Sequence, residues 1–375
     1  MVKPELNEIK KLFTPQKCSV SRICGCYVDG EKNIKTTFAE SFLNLPEEEM
    51  FKYFEILRKS LSGAIGKTAF NLEFPIEQEE EGGTQNFLMK LRESKLKDDT
   101  LLNQFYESVI NYYDFVGNYL ILLITDTYDV PNKTTDGIIN DESDTVFDYI
   151  MCCICHVNLS KPGLSYDATA NEFHNRIRDW VVDLPETAFL FPAFNDRASD
   201  IHSLMYYIKN SEEMHEDYAN GVLGCSLSLT AKTQKATFQA LVEETLGNEV
   251  HYDIVQSIHE NLSELETEHK ERQIAEPLVL DKKEVKDLFY RSGVDDEKME
   301  MFDRLYDAAA GEETKLFVSN VYNSRSYEVK TPDISIKVNP ERSDLITTKE
   351  IEGKKYLLIE INDQVEVNGI EVRVD

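Results

Sequence analysis

Residues 189–209 read FLFPAFNDRASDIHSLMYYIK, and the interpretation of this stretch decides the fold. An apolar run, Phe189, Leu190, Phe191, Pro192, Ala193 and Phe194, breaks into Asn195, Asp196, Arg197, Ser199, Asp200 and His202. Apolar residues then return at helical spacing: Ile201, Leu204, Met205 and Ile208. The pattern predicts a strand, a polar turn and a helix start, with Ser199 or Asp196 as N-cap. Loops that leave strand ends and open helices are where α/β proteins place ligands. Asp196, Arg197, Asp200 and His202 can bind a ligand or work as acid and base there, and helix capping with an Asp–Arg pair accounts for them equally. Asp126 and Asp129, in the turn after the apolar residues 118–124, can join them around a cation.

Working outward, residues 118–124 and 147–157 are too uniformly apolar to be half-exposed, which predicts two buried strands around a polar loop at 129–144. A third strand (177–182) and a fourth (188–194) complete a mixed sheet. Toward the N-terminus, residues 3–13 carry Leu6, Ile9 and Phe13 on one helical face. Residues 18–28 and 33–38 form a hairpin about Asp29-Gly30. Pro46 followed by Glu47, Glu48 and Glu49 marks a helix start, because acids there oppose the positive end of the macrodipole. A solvated loop (78–83) and helices at 85–95 and 99–112 follow.

From 230 to about 272 the chain reads as helical with a break near Gly247, and 275–277 reads as a hinge. A helix pair at 282–291 and 296–309 comes next, opened by Asp281 and Glu284 at capping-box spacing. After Leu316 the period becomes two, with Glu352-Gly353 and Asn368-Gly369 as turns. The class is α+β: a mixed α/β sheet domain (1–220), a helical segment (221–274), a helix pair (278–311) and a small C-terminal β domain (312–375).

Apolar content of 41% in 375 residues excludes a largely disordered protein. The formal charge of −29, from 69 acidic and 40 basic residues, opposes non-specific binding to nucleic acid or anionic membrane, although a local basic patch is compatible with it. No apolar run approaches the roughly twenty residues a membrane span needs. The N-terminus has no apolar export signal, so a cytoplasmic protein with reduced thiols is expected.

The seven cysteines raise a metal reading, in which Cys24, Cys26, Cys152, Cys155 and His156 supply zinc ligands. Strand alternation argues against it, placing Cys153 and Cys155 on one face and Cys152 on the other. Buried thiols in strands are the expected state, with no metal and no cofactor. Arg176 and Arg178 align with the only tryptophan, Trp180, as a phosphate or base platform or as an ion-paired strand face. Lys232 and Lys235 lie on one face of a helix start. The helix pair resembles a helix-turn-helix, yet its second helix carries Asp295, Asp296, Glu297, Glu300 and Asp303, which phosphate would repel. The common nucleotide, metalloprotease, hydrolase and kinase motifs are absent.

Several blocks resemble an uncharacterised bacterial family catalogued as a domain of unknown function. They include SRICGCYVDGEKN, VGNYLILLITDTYDVP, NRIRDWVVDLP, FLFPAFNDRASDIHS and VKTPDISIKVNPERSDLI. That resemblance spans the chain and implies no activity. A more distant one, to the bacterial nucleoid-associated protein family, rests on the order of elements from about Phe115 onward. It implies association with duplex DNA or DNA-processing proteins, through Arg176, Arg178, Arg197, Lys232 and Lys235. Two rivals stand beside it: an enzyme, hydrolytic or cation-dependent, at Asp126, Asp129, Asp196, Arg197, Asp200 and His202, and an acidic protein-interaction scaffold.

Overall fold

The computed structural model describes residues 1–133, 139–227, 229–247, 250–361 and 364–372, and the side chains of all of these except 132, 133 and 139–144. They divide into units Met1–Thr230 and Ala231–Asp375. In chain order the first unit runs α1 (Lys3–Lys10), β1 (Arg22–Val28), β2 (Ile34–Ser41), α2 (Glu47–Ser60), β3 (Ala69–Glu73), α3 (Ile76–Glu79), α4 (Thr84–Glu93) and α5 (Asp99–Tyr112). It continues with β4 (Asn118–Lys133), β5 (Ile139–Leu159), β6 (Leu164–Asp167), β7 (Glu172–Asn175), β8 (Trp180–Phe191), β9 (Ala193–Asn195), β10 (Ala198–Asp200), β11 (Ser203–Ile208) and α6 (Glu216–Tyr218).

A seven-stranded sheet in the order β2-β1-β4-β5-β8-β11-β3 forms its centre. Every neighbouring pair is antiparallel, where the sequence predicts a mixed sheet. Antiparallel sheets commonly leave one face to water and alternate accordingly. Here helices cover both faces, so the central strands lose the alternation. On one face Cys24, Cys26, Ile121, Cys152, Ile154 and Phe189 pack with Leu88 and Leu91 of α4 and Phe105 and Val109 of α5. On the other, Ile23, Leu122, Met151, Cys153, Cys155 and Leu190 pack with Leu6 and Ile9 of α1 and Phe54 and Leu57 of α2. The local signals at helix ends behave as expected: three glutamates occupy the first turn of α2, and Asp98 caps α5 by accepting from Thr100 and Leu101 N–H.

Residues 189–209 depart from the expected strand, turn and helix. β8 absorbs the predicted third and fourth strands into one, and β9 and β10 form a hairpin closed by Asp196 and Arg197. Both turn residues are left-handed, with φ of 51° and 58°, as a two-residue primed turn requires. β11 then replaces the predicted helix; all six of its residues are buried, between β8 and β3. A short apolar run buried on both faces satisfies helical spacing and strand burial alike, and only its length of six separates the two. The expected polar loop at 129–144 is largely ladder: Asn132 pairs with Asn140 and Lys133 with Ile139, while 134–138 lie outside the described residues.

The second unit holds α7 (Ala231–Leu246), α8 (Tyr252–Glu271), α9 (Lys282–Arg291), α10 (Asp296–Met299) and α11 (Phe302–Ala309). The capping box is present: Glu284 N–H donates to Asp281 at 2.8 Å and Asp281 N–H to the Glu284 carboxylate at 2.9 Å. Leu241 of α7, Ile258 and Leu262 of α8, Leu288 of α9 and Phe302 and Tyr306 of α11 share one core, so 221–274 and 278–311 do not stand apart at 275–277. Beyond them come antiparallel hairpins, Tyr327–Lys330 with Ser335–Val338, Ile346–Ile351 with Lys354–Ile359, and Val365–Val367 with Ile370–Val372.

Candidate interaction surface

The carboxylate, arginine and histidine set around residues 196–202 is spent on local structure. Arg197 donates to Glu8 at 2.8 and 3.1 Å and to the Pro131 carbonyl at 2.8 Å. Asp200 accepts from Asn195 at 2.7 Å, Ser203 at 2.6 Å and His202 N–H at 3.1 Å. His202 pairs with Glu79 at 2.7 Å, which raises its imidazole. Asp196 serves the hairpin turn. Asp126 is buried in β4, where it accepts from Tyr149 O–H at 2.7 Å and Thr127 N–H at 2.8 Å; burial pushes its carboxyl up. Asp129, further along β4, is exposed. These partners leave no convergent acid–base pair.

The proposed zinc ligands are divided by the sheet, with Cys24, Cys26 and Cys152 in one core and Cys155 in the other. All four are buried and burial pushes their thiols up. His156 is stacked on Phe115 at 3.5 Å, with Nε2 3.0 Å from the Tyr113 hydroxyl. Among the described residues no group of three or more His, Cys, Asp or Glu is placed to hold a metal. Lys232 and Lys235 lie exposed at the start of α7, in the second unit.

Arg176, Arg178 and Trp180 belong to a different structure from the one expected. Between β5 and β8 the chain inserts the two-stranded ladder β6–β7, on which Leu164 is 75% and Phe173 71% exposed. The Tyr166 and Phe173 rings lie 5.3 Å apart across it. Asp167 closes its turn, accepting from Thr169 and Ala170 N–H, which holds its carboxyl below the usual range. At the base, Arg178 Nε donates to the Ser160 carbonyl at 2.7 Å and Asp179 N–H to Ser160 Oγ at 3.1 Å. Arg178 is thus outside a strand and occupied, and Arg176 is exposed.

β8 leaves this base along β5, with Trp180 opposite Leu159, Val181 opposite Asn158 and Val182 opposite Val157. Its ladder with β11 begins only at Thr187, opposite Ile208, after a bond from Lys209 N–H to the Glu186 carbonyl. Residues 180–185 therefore have no ladder partner on that side among the described residues. Five consecutive side chains, 180–184, are exposed. Four of them are Trp180, Val181, Val182 and Leu184, with Trp180 56% exposed. An unpaired apolar edge of this kind is a template for another strand. A cleft of about 530 Å³ adjoins it, with Tyr53, Ile56, Leu120, Val182 and Leu184 along its apolar wall and Glu49, Glu55, Asp183 and Lys52 around it.

The sequence signal for the inserted ladder was present in Leu164 and Tyr166, the Asp167–Asn171 polar turn and Phe173, a short hairpin pattern. The free edge had no signal, because it depends on where β11 stops. No helix among the described residues is long and apolar enough to cross a membrane. A family model described as a domain of unknown function, DUF4317, matches residues 1–370. No curated protein and no solved structure matches the chain. The whole-chain resemblance read in the sequence is that family, and nothing in the match supports a likeness to nucleoid-associated proteins.

Proposed function

The chain belongs to the DUF4317 family, and we propose that this member is a protein-interaction scaffold of the cytoplasm, binding partners through the β6–β7 ladder and the free half of β8. The observation that carries this reading is the run 180–184, exposed on both faces and open along one edge, yet mostly apolar. Isolated exposed apolar residues are ordinary, whereas a contiguous set marks a surface that associates. A cytoplasmic setting agrees with seven unpaired cysteines. The DNA reading keeps fewer supports: Arg197 is committed to Glu8 and Arg178 to Ser160, which leaves Arg176 exposed beside the ladder in the first unit and Lys232 and Lys235 exposed in the second. Among the described residues the set named for the enzyme reading is engaged locally, with Asp126 held by Tyr149, Arg197 by Glu8, Asp200 by Asn195 and Ser203, and His202 by Glu79.

A photo-crosslinking residue placed at Trp180 or Val182 in cells is expected to yield an adduct of discrete mass containing a second polypeptide. The same residue at Ile76, an exposed apolar position on α3, is the control and is expected to give none. Absence of any discrete protein adduct at both β8 positions would overturn the scaffold reading.

A further inference from the structure

We infer that the edge of β8 at residues 180–185 accepts an extended segment of a partner protein, rich in Lys or Arg and alternating with aliphatic residues, as an added strand. This rests on the scaffold reading and specifies its mode. Three observations converge on the occupant. First, the ladder with β5 continues through residues 180–182 while the opposite side is vacant among the described residues, so the backbone is already extended and positioned. Strand addition uses main-chain bonds for affinity and alternate side chains for specificity. Six residues at about 3.4 Å each span on the order of 20 Å, with a regular register at 180–182 and a shift in the β5 pairing between Val182 and Pro185. Second, the cleft between α2 and this half of β8 is apolar at Tyr53, Ile56 and Leu184, and suits aliphatic side chains at every second position. Third, Glu49, Glu55 and Asp183 outnumber Lys52 around it, in a protein of charge −29.

That charge decides between the two occupants that fit the edge geometrically. A second copy brings its own −29 and is repelled at long range, whereas a basic segment is drawn in. The bond from Lys209 N–H to the Glu186 carbonyl already occupies the edge beyond Pro185 and sets the inner limit of the added strand.

Trp180 is the only tryptophan, so its fluorescence reports on this edge without labelling. The probe is an acetylated, amidated peptide alternating valine with lysine, titrated into the full chain at physiological ionic strength. A saturable blue shift of Trp180 is expected. Methylation of alternate peptide amides, which removes the outward donors, is expected to weaken binding by about tenfold or more. A peptide of equal composition with lysines and valines in separate blocks is expected to weaken it similarly. Glu49→Lys combined with Glu55→Lys, two surface changes, is expected to abolish the preference for lysine over glutamate in the alternating peptide.

Equal binding of methylated and unmethylated peptides would overturn strand addition, and so would no saturable shift with the lysine peptide. Self-association of the chain that disappears in Val182→Lys would assign the edge to a second copy and overturn the basic-partner proposal. A crosslinked protein partner at Trp180 together with failure of the peptide would remove the strand mode and leave the scaffold reading standing.

Discussion

The two halves of β8 differ little in composition and completely in circumstance. Residues 187–191 (TAFLF) lie between β5 and β11 and beneath helices on both faces, and every one is buried. Among the described residues, 180–184 (WVVDL) have no ladder partner but β5, at 180–182, and every one is exposed. Apolar content therefore does not distinguish a buried strand from an exposed one. The difference is set by where the neighbour ends, at Ile208, one residue before the chain turns away at Lys209.

That contrast breaks most directly by truncation. Phe189→Ala, which empties a fully buried site 6.1 Å from the ring of Phe105, is expected to cost about 3–5 kcal/mol in urea unfolding. Val182→Ala, seven positions earlier on the same strand, is expected to stay within about 0.5 kcal/mol. Comparable losses at the two positions would mean that the outer half is packed by something in the chain itself.

A smaller effect concerns the carboxylate at the buried heart of the sheet. Burial raises the Asp126 carboxyl above its unfolded value, despite the hydrogen bonds from Tyr149 and Thr127 that favour the charged form. The folded state thus holds its proton to higher pH than the unfolded state. Below the unfolded value both states are protonated and nothing is lost; as pH rises through the folded value, stability falls. Asp126→Asn removes that dependence while keeping an acceptor for Tyr149. Relative to wild type, the variant is expected to gain stability as pH rises from acid toward neutral, measured by denaturant midpoints. A difference independent of pH would show that Asp126 does not titrate in the folded protein in this way.

The smallest change belongs to the outer ladder. Replacing Arg176 and Arg178 together by Ala is expected to shift global stability by no more than about 1 kcal/mol, since the side-chain bonds lost are the exposed ones from Arg178 to the Ser160 and Leu159 carbonyls. Binding of wild type to duplex DNA at low salt, lost in this variant, would reassign the ladder from protein to nucleic acid.

Local chemistry was legible in the sequence and neighbour relations were not. Asp29-Gly30 located the first hairpin, Pro46 with three glutamates located α2, and Asp281 with Glu284 located α9, because each signal is complete within a few residues. Alternation correctly separated Cys152 from Cys153 and Cys155. β11 was misread because Leu204, Met205 and Ile208 satisfy a helical period within a run that is apolar throughout. β3 was missed because AFNLE is too short to assert a period. The site residues fared worst. Asp, Arg and His in one turn look the same whether they await a ligand or already hold Glu8, Asn195, Ser203 and Glu79.

The division of sulfur by the sheet has a use of its own. Cys24, Cys26 and Cys152 are sealed beneath α4 and α5, and Cys153 and Cys155 beneath α1 and α2. Burial raises all five thiols, so each is doubly silent toward alkylating reagents, by access and by scarcity of thiolate. Either helical layer, on lifting, uncovers its own set and leaves the other dark. The order in which masses appear on tryptic peptides during slow alkylation is then a chronology of the fold coming apart, layer by layer, recorded by the native chain without a single substitution.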